Sequence, residues 1–156
     1  MKKSLTIFLF LSLFFFFSDS IKAQDYSTAL GLRVGSANGI SIKQFVGYST
    51  AIEGLVVYRR GGLRVIGLAE QHFSLGRRSN TSVFFGLGGH YGYNYLLEGD
   101  RGPLEVYGVD FIAGLEYVFP HSDFIFAVDL KPMLELKNGT AISGNNAGVS
   151  LRYMIN

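Results

Sequence analysis

The sequence predicts an all-β protein: an eight-stranded antiparallel up-and-down transmembrane β-barrel with a polar, filled interior. Three observations carry this expectation. Beyond an apolar amino-terminal segment, the chain breaks into runs of about 8–15 residues between Gly, Asn, Asp, Pro and Ser clusters, with no convincing 3.6-residue apolar period. Within those runs apolar residues alternate with glycines and with charges of both signs. The aromatic members of the apolar set gather towards the strand ends.

Taken in order, the 156-residue chain begins with an address. Lys2 and Lys3 precede Leu5–Phe17, a 13-residue apolar run, and polar Ser18–Ser20 leads to Ala23, the expected cleavage residue. Charge, short apolar core and small residue make a secretory signal peptide, whereas a spanning helix needs about 20 apolar residues. The expected division is therefore a signal peptide over 1–23 and a barrel domain over 24–156. The first segment takes three of the 14 basic and one of the 12 acidic residues, leaving eleven of each sign. The remainder is neutral, so the formal charge of +2 gives no ground for a nucleic-acid partner. The absence of cysteine excludes a disulfide framework and a cysteine zinc site.

Eight strands are expected: Tyr26–Gly35, Gly39–Val46, Thr50–Arg59, Leu63–Leu75, Thr81–Asn94, Leu104–Phe119, Asp123–Lys137 and Asn145–Ile155. The first sets Leu30, Leu32 and Val34 against Gly31, Arg33 and Gly35. The third and fourth put Leu55, Val57, Ile66 and Leu68 on the same face as Glu53, Arg59, Arg64 and Glu70, so that face is mixed. The fifth alternates Val83, Phe85, Leu87, Tyr91 and Tyr93 with Gly86, Gly88, His90, Gly92 and Asn94. On the seventh, Phe124, Phe126, Val128, Leu130, Leu134 and Leu136 oppose Asp129, Lys131 and Glu135. The last opposes Val149, Leu151, Tyr153 and Ile155 to Gly148, Ser150 and Arg152. A half-wet sheet would also alternate, but here the polar face mixes glycine with eleven charges. They are Arg33, Lys43, Glu53, Arg64, Glu70, Asp110, Glu116, Asp129, Lys131, Glu135 and Arg152. Five cations and six anions among small residues fit a barrel-interior ion-pair network, because an eight-stranded barrel is only wide enough for side chains to fill. Turned to lipid, such charges would cost about 2–4 kcal/mol each near the midplane, so in a membrane this face points inwards.

Outward Tyr58, Tyr91, Tyr93 and Tyr107 fall near one end. Tyr26, Phe73, Tyr117, Phe119, Phe124 and Tyr153 fall near the other, as in the two aromatic girdles of a transmembrane barrel. Short links at Gly47–Ser49, Gly76–Asn80 and Pro120–Ser122 alternate with Ser36–Asn38, Arg60–Gly62, Tyr95–Pro103 and Asn138–Gly144. The two longest belong to the second set, which places both mature termini in the periplasm. In architecture Tyr26–Asn156 resembles the small eight-stranded outer-membrane proteins of the OmpA/OmpX-type barrel group. The tail from Asn146 to Tyr153 resembles that group's insertion signal: a polar residue, glycine, then two hydrophobics two positions apart. The resemblance implies that Gly148, Leu151 and Tyr153 form an assembly signal read by the barrel-assembly machinery.

Chemistry is sparse. His72-Phe-Ser74 has the His-x-Ser spacing of the eight-stranded lipid A deacylases, where a base-activated hydroxyl attacks an ester, but it falls on the inward face at the periplasmic end. His90 points inwards among glycines, where a lumen hydrogen bond is the expected role, and His121 lies in a turn. Arg59-Arg60 and Arg77-Arg78 lie at strand ends, facing lipid headgroups or solvent. No catalytic, cofactor-binding or metal-binding residues are assigned. The expectation is a non-enzymatic, monomeric outer-membrane barrel without an open pore, in a structural or interaction role, its partners outer-membrane lipid and the assembly machinery. The alternative is a soluble periplasmic or secreted lipocalin-like barrel around an apolar ligand, which requires the reverse polarity.

Overall fold

The computed structural model describes residues 27–59, 61–76, 79–94, 104–136, 141–143 and 146–155. The signal segment, Tyr26, Arg60, Arg77, Arg78, the Tyr95–Pro103 link and most of Asn138–Gly144 lie outside the described residues. The strands are β1 (Thr28–Gly35), β2 (Asn38–Phe45), β3 (Thr50–Arg59), β4 (Gly62–Ser74), β5 (Thr81–Asn94), β6 (Leu104–Val118), β7 (Phe124–Leu130), β8 (Met133–Glu135), β9 (Ala141–Ser143) and β10 (Ala147–Ile155). Consecutive strands from β1 to β6 pair antiparallel, β6 pairs with β7 and β8, and β10 pairs with both β7 and β1. The ring from β1 through β6 to β7, β10 and back to β1 is thereby closed.

Ten segments make eight staves. β7 and β8 run along β6 in one register, Leu130 opposite Ala113 and Met133 opposite Asp110. The expected strand Asp123–Lys137 is broken only because Pro132 has no N–H to give. Its carbonyl still accepts from the Phe111 amide at 2.9 Å. β9 and β10 make the last stave. Met133 pairs with Ser143 but Leu130 with Ala147, so three steps on one stave match four on the other. The register therefore differs by one residue between the two pairings, and Ala141–Ser143, expected to be loop, belongs to the sheet.

Alternation fixes which side each residue takes. Along β10, Leu151 is 51% exposed, Arg152 1% and Tyr153 48%. The outer wall carries Leu30, Leu32, Ile40, Ile42, Ile52, Val65, Leu87, Phe111, Val128 and Leu151. Tyr58, Tyr91, Tyr93 and Tyr107 are exposed near one rim, and Phe73, Tyr117, Phe119, Phe124 and Tyr153 near the other. Tyr91 stands opposite Tyr107, and the Phe124 and Tyr153 rings meet at 5.5 Å. Inside, the mixed face of β3 and β4 becomes an apolar layer: Leu55, Val57, Ile66 and Leu68 pack with Phe84, Ile112 and Ala127. Ala29 and Ile125, with Phe45, Val118 and Met154 against them, close the end where the chain enters and leaves.

Candidate functional site

The site is the filled lumen. Of the eleven charges expected to face inwards, ten are buried, and the Glu135 side chain is 25% exposed. Near the termini, β2, β3, β4, β6 and β10 converge Lys43, Glu53, Glu70, Glu116 and Arg152. Lys43 Nζ lies 2.7 Å from Glu70 Oε2, 3.2 Å from Glu116 Oε2 and 3.9 Å from Glu53 Oε2. It also sits 4.4 Å from the centre of the Phe84 ring, a cation–π contact. Arg152 spreads three donors: Nη2 to Glu53 Oε1 at 2.5 Å, Nε to Ser41 Oγ at 3.2 Å and Nη1 to Glu116 Oε2 at 3.4 Å. His72 closes the group, with Nε2 3.2 Å from Glu70 Oε2 and Nδ1 3.8 Å from Glu116 Oε1.

Farther along the axis, Arg33 grips Asp129 with both arms of its fork, Nη2 to Oδ1 at 2.5 Å and Nε to Oδ2 at 3.3 Å. Its Nη1 donates to the Ala37 carbonyl at 3.2 Å. His90 Nδ1 meets Asp110 Oδ2 at 2.6 Å, and Lys131 Nζ stands 3.6 Å from the other Asp110 oxygen. At the mouth Arg64 Nη2 donates to Glu135 Oε1 at 2.8 Å. Each of the five cations expected to face inwards has a carboxylate within 4 Å, as a dry interior demands.

Register explains how such bulky side chains fit. Gly31 lies opposite Arg152, Gly86 opposite Glu70 and Gly92 opposite Arg64. A Cβ at these glycines would lie 2.6, 2.9 and 2.9 Å from the Cγ of that partner, and closer still to a backbone carbonyl of the adjacent strand. Gly148 gives the same room to the Arg33 guanidinium, and Gly114 to the Phe84 ring. Inward glycine is therefore the complement of inward charge.

Two residues carry roles that the sequence did not reveal. Arg59 is no headgroup contact: it is buried in the lumen, and its Nη1 lies 3.1 Å from Met133 Sδ, which Arg64 Nη1 also approaches at 2.9 Å. The signal was its place in the alternation of β3, masked by its position at a strand end. His72 is buried, its ring 4.9 Å from that of Phe45 and 5.1 Å from that of Phe84. It serves the carboxylates of the base, on a face closed to any lipid ester. Among the described residues no group of three His, Asp or Glu side chains is placed to hold a metal ion. Of the three tail residues, Gly148 faces the lumen beside Arg33, while Leu151 and Tyr153 face outwards.

No protein-family model and no curated protein sequence matches the chain. Among solved structures, the crystal structure of the N-terminal β-barrel domain of Pseudomonas aeruginosa OprF superposes with a TM-score of 0.63 at 19% sequence identity. The match covers 82% of this chain and 94% of that one. The chain is thus similar in fold to that barrel domain, and is itself a closed eight-stranded antiparallel barrel.

Proposed function

We propose that this chain is an integral outer-membrane β-barrel of a Gram-negative bacterium, monomeric and without an open pore or enzymatic activity, in a structural or interaction role. One observation carries the reading: the barrel is inside out, with aliphatic and aromatic side chains on its outer wall and ion pairs at its centre. Only a solvent of acyl chains makes that arrangement favourable. Met1–Ala23 delivers the chain across the inner membrane. An even number of staves returns both mature termini to one side, and the greater length of the Tyr95–Pro103 and Asn138–Gly144 links supports reading that side as periplasmic. Leu151 and Tyr153, with Gly148, present the last strand to the assembly machinery. A closed sheet offers no edge for pairing with a second copy, which supports the monomer. A lipocalin-like carrier of an apolar ligand needs an apolar cavity and a wet exterior, and both are reversed here.

Fractionation of cell membranes with a heat-modifiability gel tests the reading. The protein is expected in the outer-membrane fraction, with an unheated band that migrates differently from the boiled one. Recovery in the soluble periplasm would reject it.

A further inference from the structure

We infer that Glu53 and Glu70 hold one proton between them, so that the closed base of the lumen is a carboxyl–carboxylate site without net charge. The first ground is hydrogen bonding. Glu53 Oε1 is taken by Arg152, and Glu70 Oε2 by Lys43 and His72. The other oxygens, Glu53 Oε2 and Glu70 Oε1, are buried without a hydrogen-bond partner. Glu53 pairs with Leu68 and Glu70 with Ala51, which makes the two glutamates diagonal neighbours on the inner face of β3 and β4. Both carboxyl groups also flank one ammonium, Lys43 Nζ lying 2.7 Å from Glu70 Oε2 and 3.9 Å from Glu53 Oε2. Two ionised carboxylates so placed offer four acceptors and no donor, and they repel. A single proton turns that repulsion into a charge-assisted O–H···O bond and satisfies both orphan oxygens.

The second ground is charge. Among the described residues the base contains Glu53, Glu70 and Glu116 against Lys43 and Arg152, one negative charge in excess when His72 is neutral. The other staves add no charge at this level: β1 brings Gly31, β5 Phe84 and β7 Ala127. The next charges along the axis, Arg33 with Asp129 and Lys131 with Asp110, neutralise each other in pairs. One bound proton balances the group, and a dry site favours balance. Placing it on His72 instead would also balance the charge but would leave the two facing oxygens unsatisfied. The inference needs only the closed base of the barrel, so it stands or falls independently of where the protein resides.

The test is infrared spectroscopy of the full barrel, refolded in detergent from H2O and from D2O at neutral pH. The wild type is expected to show the carbonyl band of a protonated carboxyl group, shifted in D2O. E53Q and E70Q are each expected to lack it, because a glutamine amide donates where the proton did. E53Q also removes an Arg152 partner; if it fails to fold, E70Q alone decides. The linkage has a definite sign. The folded pair keeps a proton that separated carboxyl groups release on unfolding, so this contribution to wild-type stability is whole below about pH 4 and falls as pH rises from there through neutrality. The denaturant midpoint of E70Q should fall less over the same range. A wild-type spectrum without the band, a band that survives in E70Q, or an imidazolium signal from His72 by nitrogen NMR would overturn the inference.

Discussion

Gly148 shows how closely the interior is fitted at the scale of single residues. A Cβ there would lie 2.3 Å from Cζ of Arg33, so Gly148→Ala must push the guanidinium off Asp129. Overpacking of this kind costs about 1–3 kcal/mol. Arg33→Ala should cost more, about 3–5 kcal/mol, because it leaves Asp129 buried without its cation. Arg33→Met combined with Asp129→Leu should cost less than Arg33→Ala, since no charge is then stranded. Denaturant titrations of detergent-refolded protein, read by gel mobility, check all three. They also separate the stability role of Gly148 from any role in assembly, because no machinery is present. An equal loss in the single and double Arg33 variants would show that the pair is not the source of the effect. Inward charge was legible in the sequence because side-chain direction has period two. Pairing was not, since Arg33 and Asp129 are 96 positions apart and only barrel closure makes them neighbours.

Strands were read to within a few residues, because glycine, asparagine and proline mark where hydrogen-bonded runs end. What escaped was anything set by the partner strand. Pro132 was visible, but whether the ladder survives it depends on β6; the residue gained between Ser143 and Ala147 appears only when the register with β7 and β8 is compared. The mixed face of β3 and β4 is visible in the sequence but its meaning is not, since its Leu and Ile residues find Phe84 and Ile112 only in the folded barrel. At this scale the outward face makes a prediction graded by depth. Leu151, central in the β10 outer row and paired with Phe126, should lose about 2–4 kcal/mol of stability in lipid vesicles on substitution by arginine. Ile155, at the end of the same row, should lose about 0–1 kcal/mol. Equal penalties, measured by unfolding from vesicles, would count against a hydrocarbon slab around the barrel. Ser150→Arg fails for another reason: the position is fully buried between Arg33 and Ala127 in the register. It would crowd a second cation against Arg33, so its defect should persist in detergent.

For the molecule as a whole, what matters is that the lumen is stopped at successive levels. Ala29, Phe45, Val118, Ile125 and Met154 fill the terminal end. The Lys43–Glu53–Glu70–Glu116–Arg152 group follows, and the layer of Leu55, Leu68, Phe84 and Ile112 packs beside and beyond it. Eight strands leave an interior that side chains can fill, so on the proposed reading redundancy rather than a single constriction keeps the barrel shut. Conductance and stability should therefore respond separately to truncation. Phe84→Ala removes a fully buried ring and should cost about 3–5 kcal/mol, yet the ionic group and the terminal plug remain in place. In planar lipid bilayers neither the wild type nor Phe84→Ala should carry a steady ohmic current, although the variant unfolds at lower denaturant. A steady wild-type current would mean that the side chains leave a continuous water path. A current gained only in Phe84→Ala would instead make that ring the sole barrier, which the stacked levels of the lumen argue against.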